Sequence, residues 1–155
     1  MKLFNLDETY VVTGAYGLMG KNHVRAILEA GGKVVAIDIN ENLKKDYLKY
    51  FEQKYHPNIF LYVCDITNED QVRSVLRENI ELGLRIEGLV NNAAINSDFG
   101  IEDFSNNTFE SFSIERLNKE ISVGLTGAMI CTRIFGLEMK KYKKGSIVNI
   151  SSDLG

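Results

Sequence analysis

The chain has 155 residues, of which 45% are hydrophobic and 25% are charged, a balance typical of one globular domain with a buried core. The formal net charge is -3, and the one basic cluster, at 140–144, lacks interleaved aromatic residues, which argues against nucleic-acid binding. Because the N-terminus lacks the features of a signal peptide and no apolar run approaches roughly 18 residues, we expect a cytoplasmic protein without a membrane span.

A short apolar strand at 10–13 runs into a glycine-rich turn, which opens a helix over 19–30. In this turn Gly14 provides the sharp bend, Gly17 admits backbone N–H groups to a pyrophosphate, and Gly20 lets the helix pack on the strand. The pattern is typical of a dinucleotide site at a helix N-terminus, although glycine turns also serve packing alone. The residues of this run that we predict to bind a cofactor are Gly14, Tyr16, Gly17, Leu18, Met19 and Gly20.

The second strand, predicted at 34–38, ends in Asp38, 18 residues after Gly20. A carboxylate near this position accepts hydrogen bonds from the adenosine ribose in NAD-binding domains. It would repel the 2′-phosphate of NADP, and the following residues 39–41 include no arginine, so NAD is expected rather than NADP. The alternative is that Asp38 is a turn or helix-capping acid.

Three further strands alternate with helical segments along the chain. The alternation predicts a doubly wound (Rossmann) α/β fold with a parallel sheet in the order 3-2-1-4-5, helices on both faces and ligands at the carboxyl ends of the strands. Cys64 and Cys131 lie in apolar segments and are expected to be buried reduced thiols, and His23 and His56 lack the spacing of a metal site. The remaining predicted elements are a helix at 41–51, a strand at 59–63, a helix at 69–82 capped by Thr67 or Asn68, a strand at 88–92, a long helix at 113–141 closed by Gly145, and a strand at 146–150.

The residues at these strand ends resemble those of the short-chain dehydrogenase/reductase family, through Thr13-Gly14, an acid after the third strand and an N-N-A run after the fourth. The resemblance implies that Asp65 binds the adenine amino group and that the backbone of Ile66 contacts adenine. It further implies that the run Asn91, Asn92 and Ala93 lines the adenosine ribose and braces the sheet, and that Ser152, with Ser151 as the alternative, orients the substrate oxygen. Without the family, paired asparagines could equally satisfy loop backbone.

Three departures from the family pattern limit this interpretation. The expected Y-x-x-x-K pair would follow Ser152 by about a dozen residues, so the chain is expected to be an N-terminal portion that lacks the last strands of the domain. The Y-x-x-x-K match at 50–54 lies on the second helix, away from the expected catalytic position. The spacing there predicts an amphipathic surface formed by Tyr47, Tyr50, Phe51 and Lys54. Gly124 stands where relatives carry an asparagine that holds a relay water, and 96–112 is longer than the usual link and is expected to form a pocket rim.

The sequence therefore predicts a single NAD-binding domain over 1–155, from an oxidoreductase that transfers a hydride between nicotinamide and a secondary alcohol or ketone, with no activity expected from these residues alone. A weaker likeness to bacterial members linked to flagellin or surface-glycan modification suggests a sugar substrate. The N-N-A-A run at 91–94 and the run at 147–152 resemble the smaller, single-domain members instead. The resemblance also implies a homo-oligomer formed through 113–141. The alternative function is a non-catalytic NAD(H)-binding sensor or scaffold.

Overall fold

The computed structural model describes residues 8–95 and 113–151, which form a five-stranded parallel sheet in the order β3-β2-β1-β4-β5 with helices packed on both faces. This confirms the predicted fold and strand order. Each strand is a short apolar run, as expected for parallel strands covered on both sides. The strands are β1 Thr9–Thr13, β2 Lys33–Asp38, β3 Ile59–Val63, β4 Ile86–Asn91 and β5 Ser146–Asn149.

The helices begin and end close to the predicted positions. Asn40 and Asn68 cap the second and third helices, since each side chain accepts two backbone N–H bonds. Gly31, with φ of 103°, ends the first helix in the left-handed conformation that glycine favours. The helices are α1 Leu18–Ala30, α2 Glu41–Tyr47, α3 Glu69–Glu81, α4 Ile114–Ile121 and α5 Ala128–Tyr142.

Two separate cores lie on the two faces of the sheet, because successive strand residues point in opposite directions. On one face Val11 and Val35 pack with side chains of α3 and α5, including Phe135. On the other face Val12 and Val34 pack with side chains of α1 and α2. Because β1 pairs in parallel with both β2 and β4, the carboxyl ends of these three strands lie together at one end of the sheet.

The predicted second helix is shorter than expected. The α-helix ends at Tyr47 and a 3-10 turn, Leu48–Tyr50, continues the chain. The expected amphipathic pattern is present, because Tyr47 is fully buried in the core against Phe51 while Lys54 is exposed. Tyr50, in contrast, is half exposed.

The long predicted helix at 113–141 has an interruption that the sequence did not predict. A six-residue π-helical segment, Ser122–Gly127, separates α4 from α5, so the backbone changes its hydrogen-bonding pattern at Gly124. The helix also ends differently from expectation, because Lys143 and not Gly145 adopts the left-handed capping conformation, with φ of 54°. Gly145 instead allows close packing, since a Cβ there would lie 2.6 Å from the Met139 sulfur.

The continuous helical stretch Ile114–Tyr142 is, by length and composition alone, long and apolar enough to cross a membrane. Its buried residues, among them Ile134 and Phe135, pack on the sheet within the core. A core helix of a doubly wound domain passes the same test, so this stretch carries only weak evidence for membrane insertion.

Strand β5 lies at an edge of the sheet and pairs only with β4 among the described residues. All four of its residues are exposed, including Ile147 and Val148, although the run is apolar. An apolar edge of this kind is an association hazard in isolation.

Both cysteines are buried free thiols. Burial is the main cause that raises the pKa of the Cys64 thiol to about 11 and that of Cys131 to about 12. We expect iodoacetamide to leave both residues unmodified in the folded chain near pH 8 and to alkylate both once denaturant is added, as measured by mass spectrometry. Rapid native-state alkylation of either thiol would contradict the packing described here.

The same shifts predict a decline of stability in alkaline solution. The thiol pKa is higher in the folded than in the unfolded chain. The contribution of the protonated thiols to the free energy of unfolding is therefore complete below the unfolded pKa of 9.0, and it is lost as the pH rises toward the folded values. Denaturation midpoints measured across pH should therefore fall above about pH 9. A midpoint that stays constant through this range would contradict the expectation.

Candidate functional site

The glycine-rich turn between β1 and α1 is tightly built. Gly14 has φ of +62°, which favours glycine, and an added Cβ would lie 2.8 Å from the Cα of Ala93. A Cβ on Gly20 would lie 2.2 Å from the Gly14 carbonyl oxygen, so the predicted close packing of this glycine is present. The space around Gly17 is more open, with one contact at 3.4 Å.

The N-terminus of α1 is open to a ligand. Its N-cap residue is Gly17, which has no side chain, so the first N–H groups of the helix lack a side-chain cap. Gly17, which has backbone atoms only, is exposed, and Leu18 and Met19 are also exposed, at 83% and 54%. The positive end of the helix dipole adds to the attraction for an anion at this place.

Tyr16 lies within the same turn, but its side chain points into the core and is fully buried. Its hydroxyl donates to the Tyr62 carbonyl at 3.0 Å, and burial is the main cause that raises the pKa of this phenol. The backbone N–H of Tyr16 donates to Oδ2 of Asp38 at 2.9 Å. Thus the structure gives this predicted site residue a supporting position beneath the turn.

Asp38 lies half-buried at the end of β2, beside the glycine-rich turn. Besides the bond from Tyr16, its Oδ1 accepts the N–H of Asn40 at 3.0 Å. The turn-acid role that we considered as an alternative is therefore present. A carboxylate offers about four acceptor positions, so the two backbone bonds leave room for ribose hydroxyls. The next residue, Ile39, is 68% exposed and was not singled out from the sequence.

Asp65 and Ile66 follow β3 at the same end of the sheet, where the carboxyl ends of the strands lie. Oδ1 of Asp65 accepts two bonds from Thr67, at 2.9 Å from its N–H and 2.8 Å from its hydroxyl. The side chain of Ile66 is buried, and it packs so closely on the π-helical segment that a Cβ on Gly127 would lie 2.7 Å from it. Only the backbone of Ile66 is then suited to contact a base.

Asn92 connects the ends of β1 and β4. Its side-chain amide donates to the carbonyls of Thr13 and Gly14 at 3.0 and 3.2 Å. The Thr13 hydroxyl in turn accepts the backbone N–H groups of Asn92 and Ala93 at 3.0 and 3.1 Å. The expected bracing of the sheet is present. The Thr13 hydroxyl shares in it, a role that was not predicted from its place before Gly14.

Asn91 is buried at the end of β4 and connects this strand to β5 and α5. Its amide nitrogen donates to the Asn149 side-chain oxygen at 2.8 Å and to the Thr132 hydroxyl at 3.0 Å. Its Oδ1 has no hydrogen-bond partner among the described residues. Asn91 therefore holds strands together and retains one free buried acceptor.

The end of the site where we expect the substrate is described only in part. Ser152 and the predicted rim at 96–112 lie outside the described residues, and Ser151, the last residue described, is exposed. Gly124 is exposed, and a Cβ there would meet no atom within 4 Å. Within 8–95 and 113–151, no three His, Cys, Asp or Glu side chains lie close enough together to hold a metal ion.

Comparison with known proteins agrees with this geometry. The family model described as short chain dehydrogenase matches residues 8–155. Post-translational flagellin modification protein A of Campylobacter coli is 26% identical over 96% of this chain and 57% of its own length. The 3-oxoacyl-[acyl-carrier-protein] reductase of Thermotoga maritima is 31% identical over 94% of this chain and 55% of its own length.

Among solved structures, the one described as ElxO with NADP bound is 27% identical, with a TM-score of 0.81 over 94% of this chain and 55% of that chain. The present chain thus spans about half the length of the relatives it matches.

Proposed function

The chain belongs to the short-chain dehydrogenase family, and on this premise we propose that it binds NAD through the glycine-rich turn, as the nucleotide-binding part of an oxidoreductase. The observation that carries the proposal is the position of Asp38, whose carboxylate lies 2.9 Å from the Tyr16 N–H at the start of the phosphate-binding turn. This contact supports a site in which an acceptor for the ribose lies beside donors for the diphosphate.

The groups present fit a dinucleotide. The uncapped, exposed N-terminus of α1 offers N–H groups of Leu18 and Met19 to a diphosphate. Asp38 accepts the adenosine ribose hydroxyls, while Asp65 and the backbone of Ile66 bind adenine. Gly14, Gly17 and Gly20 admit the cofactor or the helix by lacking a side chain, and Asn91, Asn92 and Ala93 support the ribose side of the site.

The cofactor supplies hydride chemistry at its nicotinamide ring. In this proposal the Ser152 hydroxyl donates a hydrogen bond to the oxygen of a secondary alcohol or ketone and so orients the reacting carbon. Proton transfer requires a further acid or base, for which the family uses a tyrosine and a lysine that the 155 residues do not supply after Ser152. We therefore expect the 155-residue chain alone to bind cofactor without turning it over.

The preference for NAD follows from charge. A 2′-phosphate on the ribose would lie against the Asp38 carboxylate, and the next residues, Ile39 to Glu41, bring no cation to offset the repulsion. The relative described as ElxO has NADP bound, so membership of the family does not by itself imply NAD. The proposed preference for NAD rests on Asp38 and on the residues that follow it in this chain.

Titrations with NADH and with NADPH test the proposal. We expect NADH to bind this chain at least about tenfold more tightly than NADPH. The repulsion between the 2′-phosphate of NADPH and the Asp38 carboxylate costs at least about 1.4 kcal/mol, which corresponds to a factor of ten in the dissociation constant. Isothermal titration calorimetry gives both dissociation constants. Binding of neither dinucleotide would reject the cofactor site, and a preference for NADPH would reject the assigned role of Asp38.

One observation favours the alternative of a non-catalytic NAD(H)-binding sensor or scaffold, namely Gly124 at the position of the family's relay asparagine. The coding sequence after Gly155 separates the two functions. A tyrosine about a dozen residues after Ser152 with a lysine four residues later supports the enzyme, and a complete gene without this pair supports the sensor.

The substrate and the assembly of the whole protein follow from the family only in outline. We propose a small secondary alcohol or ketone, with a sugar as one class suggested by the flagellin modification relative. We also propose self-association through α4 and α5, where Ile121, Met129 and Leu137 are exposed. Analytical ultracentrifugation of the whole protein tests this assembly, and a monomer at all concentrations would reject it.

A further inference from the structure

The proposed phosphate-binding turn, 14–17, forms hydrogen bonds to neighbouring elements at three consecutive backbone groups. The N–H of Ala15 donates to the Ile37 carbonyl at 3.0 Å, and the N–H of Tyr16 donates to Asp38. Between them, the carbonyl of Ala15 accepts the hydroxyl of Tyr47 at 3.0 Å. The partners of the two N–H groups lie in β2, and the partner of the carbonyl lies at the end of α2.

Tyr47 is packed in the core with its hydroxyl directed at this turn. Its side chain is fully buried, and its ring lies 4.6 Å from the ring of Tyr16 and 5.1 Å from that of Phe51, centroid to centroid. Burial is the main cause that raises the pKa of the phenol, so the hydroxyl remains a proton donor at neutral pH. A buried hydroxyl without its acceptor would be costly, which favours one fixed position of the Ala15 carbonyl.

We infer that Tyr47 is a positioning residue for the cofactor diphosphate: its hydroxyl fixes the Ala15 carbonyl and thereby presets the direction of the N–H groups that follow in the turn. The inference rests on the proposed NAD site and adds to it a residue 27 positions beyond Gly20, on a different helix. The turn is then ordered before the ligand arrives, so binding does not have to supply the cost of ordering it.

The Tyr47→Phe variant removes only the hydroxyl and keeps the ring. We expect its affinity for ADP-ribose, which carries the diphosphate, to fall about fivefold, as for the loss of one neutral hydrogen bond. The affinity for adenosine, which lacks phosphate and depends on Asp38, should stay unchanged. Both dissociation constants are measured on the same preparation of the variant. A misfolded fraction that binds neither ligand does not change their ratio, so partial misfolding would not produce the expected change.

Two control variants separate positioning from general packing. Tyr50→Phe removes a half-exposed hydroxyl from the same segment and should leave both affinities unchanged. Phe51→Leu disturbs the ring packing but keeps the Tyr47 hydroxyl, and it should lower stability without changing the ratio. An unchanged ratio in Tyr47→Phe, or an equal change in Phe51→Leu, would overturn the inference.

Hydrogen exchange of the ligand-free wild-type chain provides a second measurement that needs no variant. We expect the N–H groups of Ala15 and Tyr16 to exchange slowly without ligand, because the turn is already ordered. Fast exchange that slows only when ADP-ribose is added would overturn the inference even if Tyr47→Phe does not fold. If the wild-type chain binds neither ADP-ribose nor adenosine, the NAD site fails and the inference falls with it. Wild-type binding with an unchanged ratio rejects the inference alone.

Discussion

Replacing Gly20 with alanine is expected to destabilise the chain by about 3 kcal/mol and to abolish measurable NADH binding. The new Cβ would lie 2.2 Å from the Gly14 carbonyl oxygen and 2.7 Å from the Cα of Ala15. Both are backbone atoms, so relief requires α1 to move away from the turn that forms the proposed diphosphate site. Denaturant titration measures the stability, and calorimetry measures the binding.

Gly136→Ala is the matched control for this substitution. Gly136 also lies inside a helix, but a Cβ there meets only Ile147 at 3.6 Å, which is ordinary contact. We expect this variant to gain up to about 1 kcal/mol from helix propensity and to bind NADH as the wild type does. Equal stability of the Gly20 and Gly136 variants would contradict the close packing of α1 on the turn.

Replacing Asp38 with asparagine is expected to lower the NADH affinity about tenfold, since charge-assisted bonds to the ribose become neutral ones. The preference for NADH over NADPH should fall by at least about tenfold as well, because the repulsion of the 2′-phosphate is removed. The amide oxygen still accepts a backbone N–H, so the turn keeps part of its support. The four dissociation constants of wild type and variant for NADH and NADPH are the measurement.

Asp46→Asn provides a control for net charge. Asp46 lies on α2, is largely exposed and pairs with Lys49, so its loss changes the charge of the chain without touching the proposed site. Both dinucleotides should bind this variant with wild-type affinity. If Asp38→Asn behaves like Asp46→Asn, the role of Asp38 is confined to the turn.

Much of the fold could be predicted from the sequence because short β-branched runs alternate with amphipathic segments, and this alternation permits few arrangements. The caps of α2 and α3 show how local the signals are. Asn68 accepts from the two N–H groups two and three residues ahead, a pattern visible in the sequence itself. Strand bounds differ from expectation by at most two residues, as for β4.

What the sequence could not predict depends on tertiary contacts. Tyr16 is predicted as a cofactor contact from its place in the turn, and Tyr47 as part of an amphipathic segment. That both are fully buried with their rings in contact depends on how α1, α2 and the sheet pack together. The π-helical segment has no local sequence signature beyond its glycines, and it coincides with the close contact between Ile66 and Gly127. The site residues at strand ends could be predicted because the strands are parallel, but their hydrogen-bond partners could not.

The side-chain bond between Asn91 and Asn149 has a consequence for how the last strand finds its alignment. Among the described residues none buries a side chain of β5, so within this part of the chain its apolar pattern does not distinguish one pairing with β4 from another. The two asparagines are register partners, and a shift by one residue would turn Asn149 to the opposite face and deprive the buried Asn91 amide of an acceptor. A polar pair thus specifies the strand register here, a task that buried hydrophobic residues perform in the rest of the sheet.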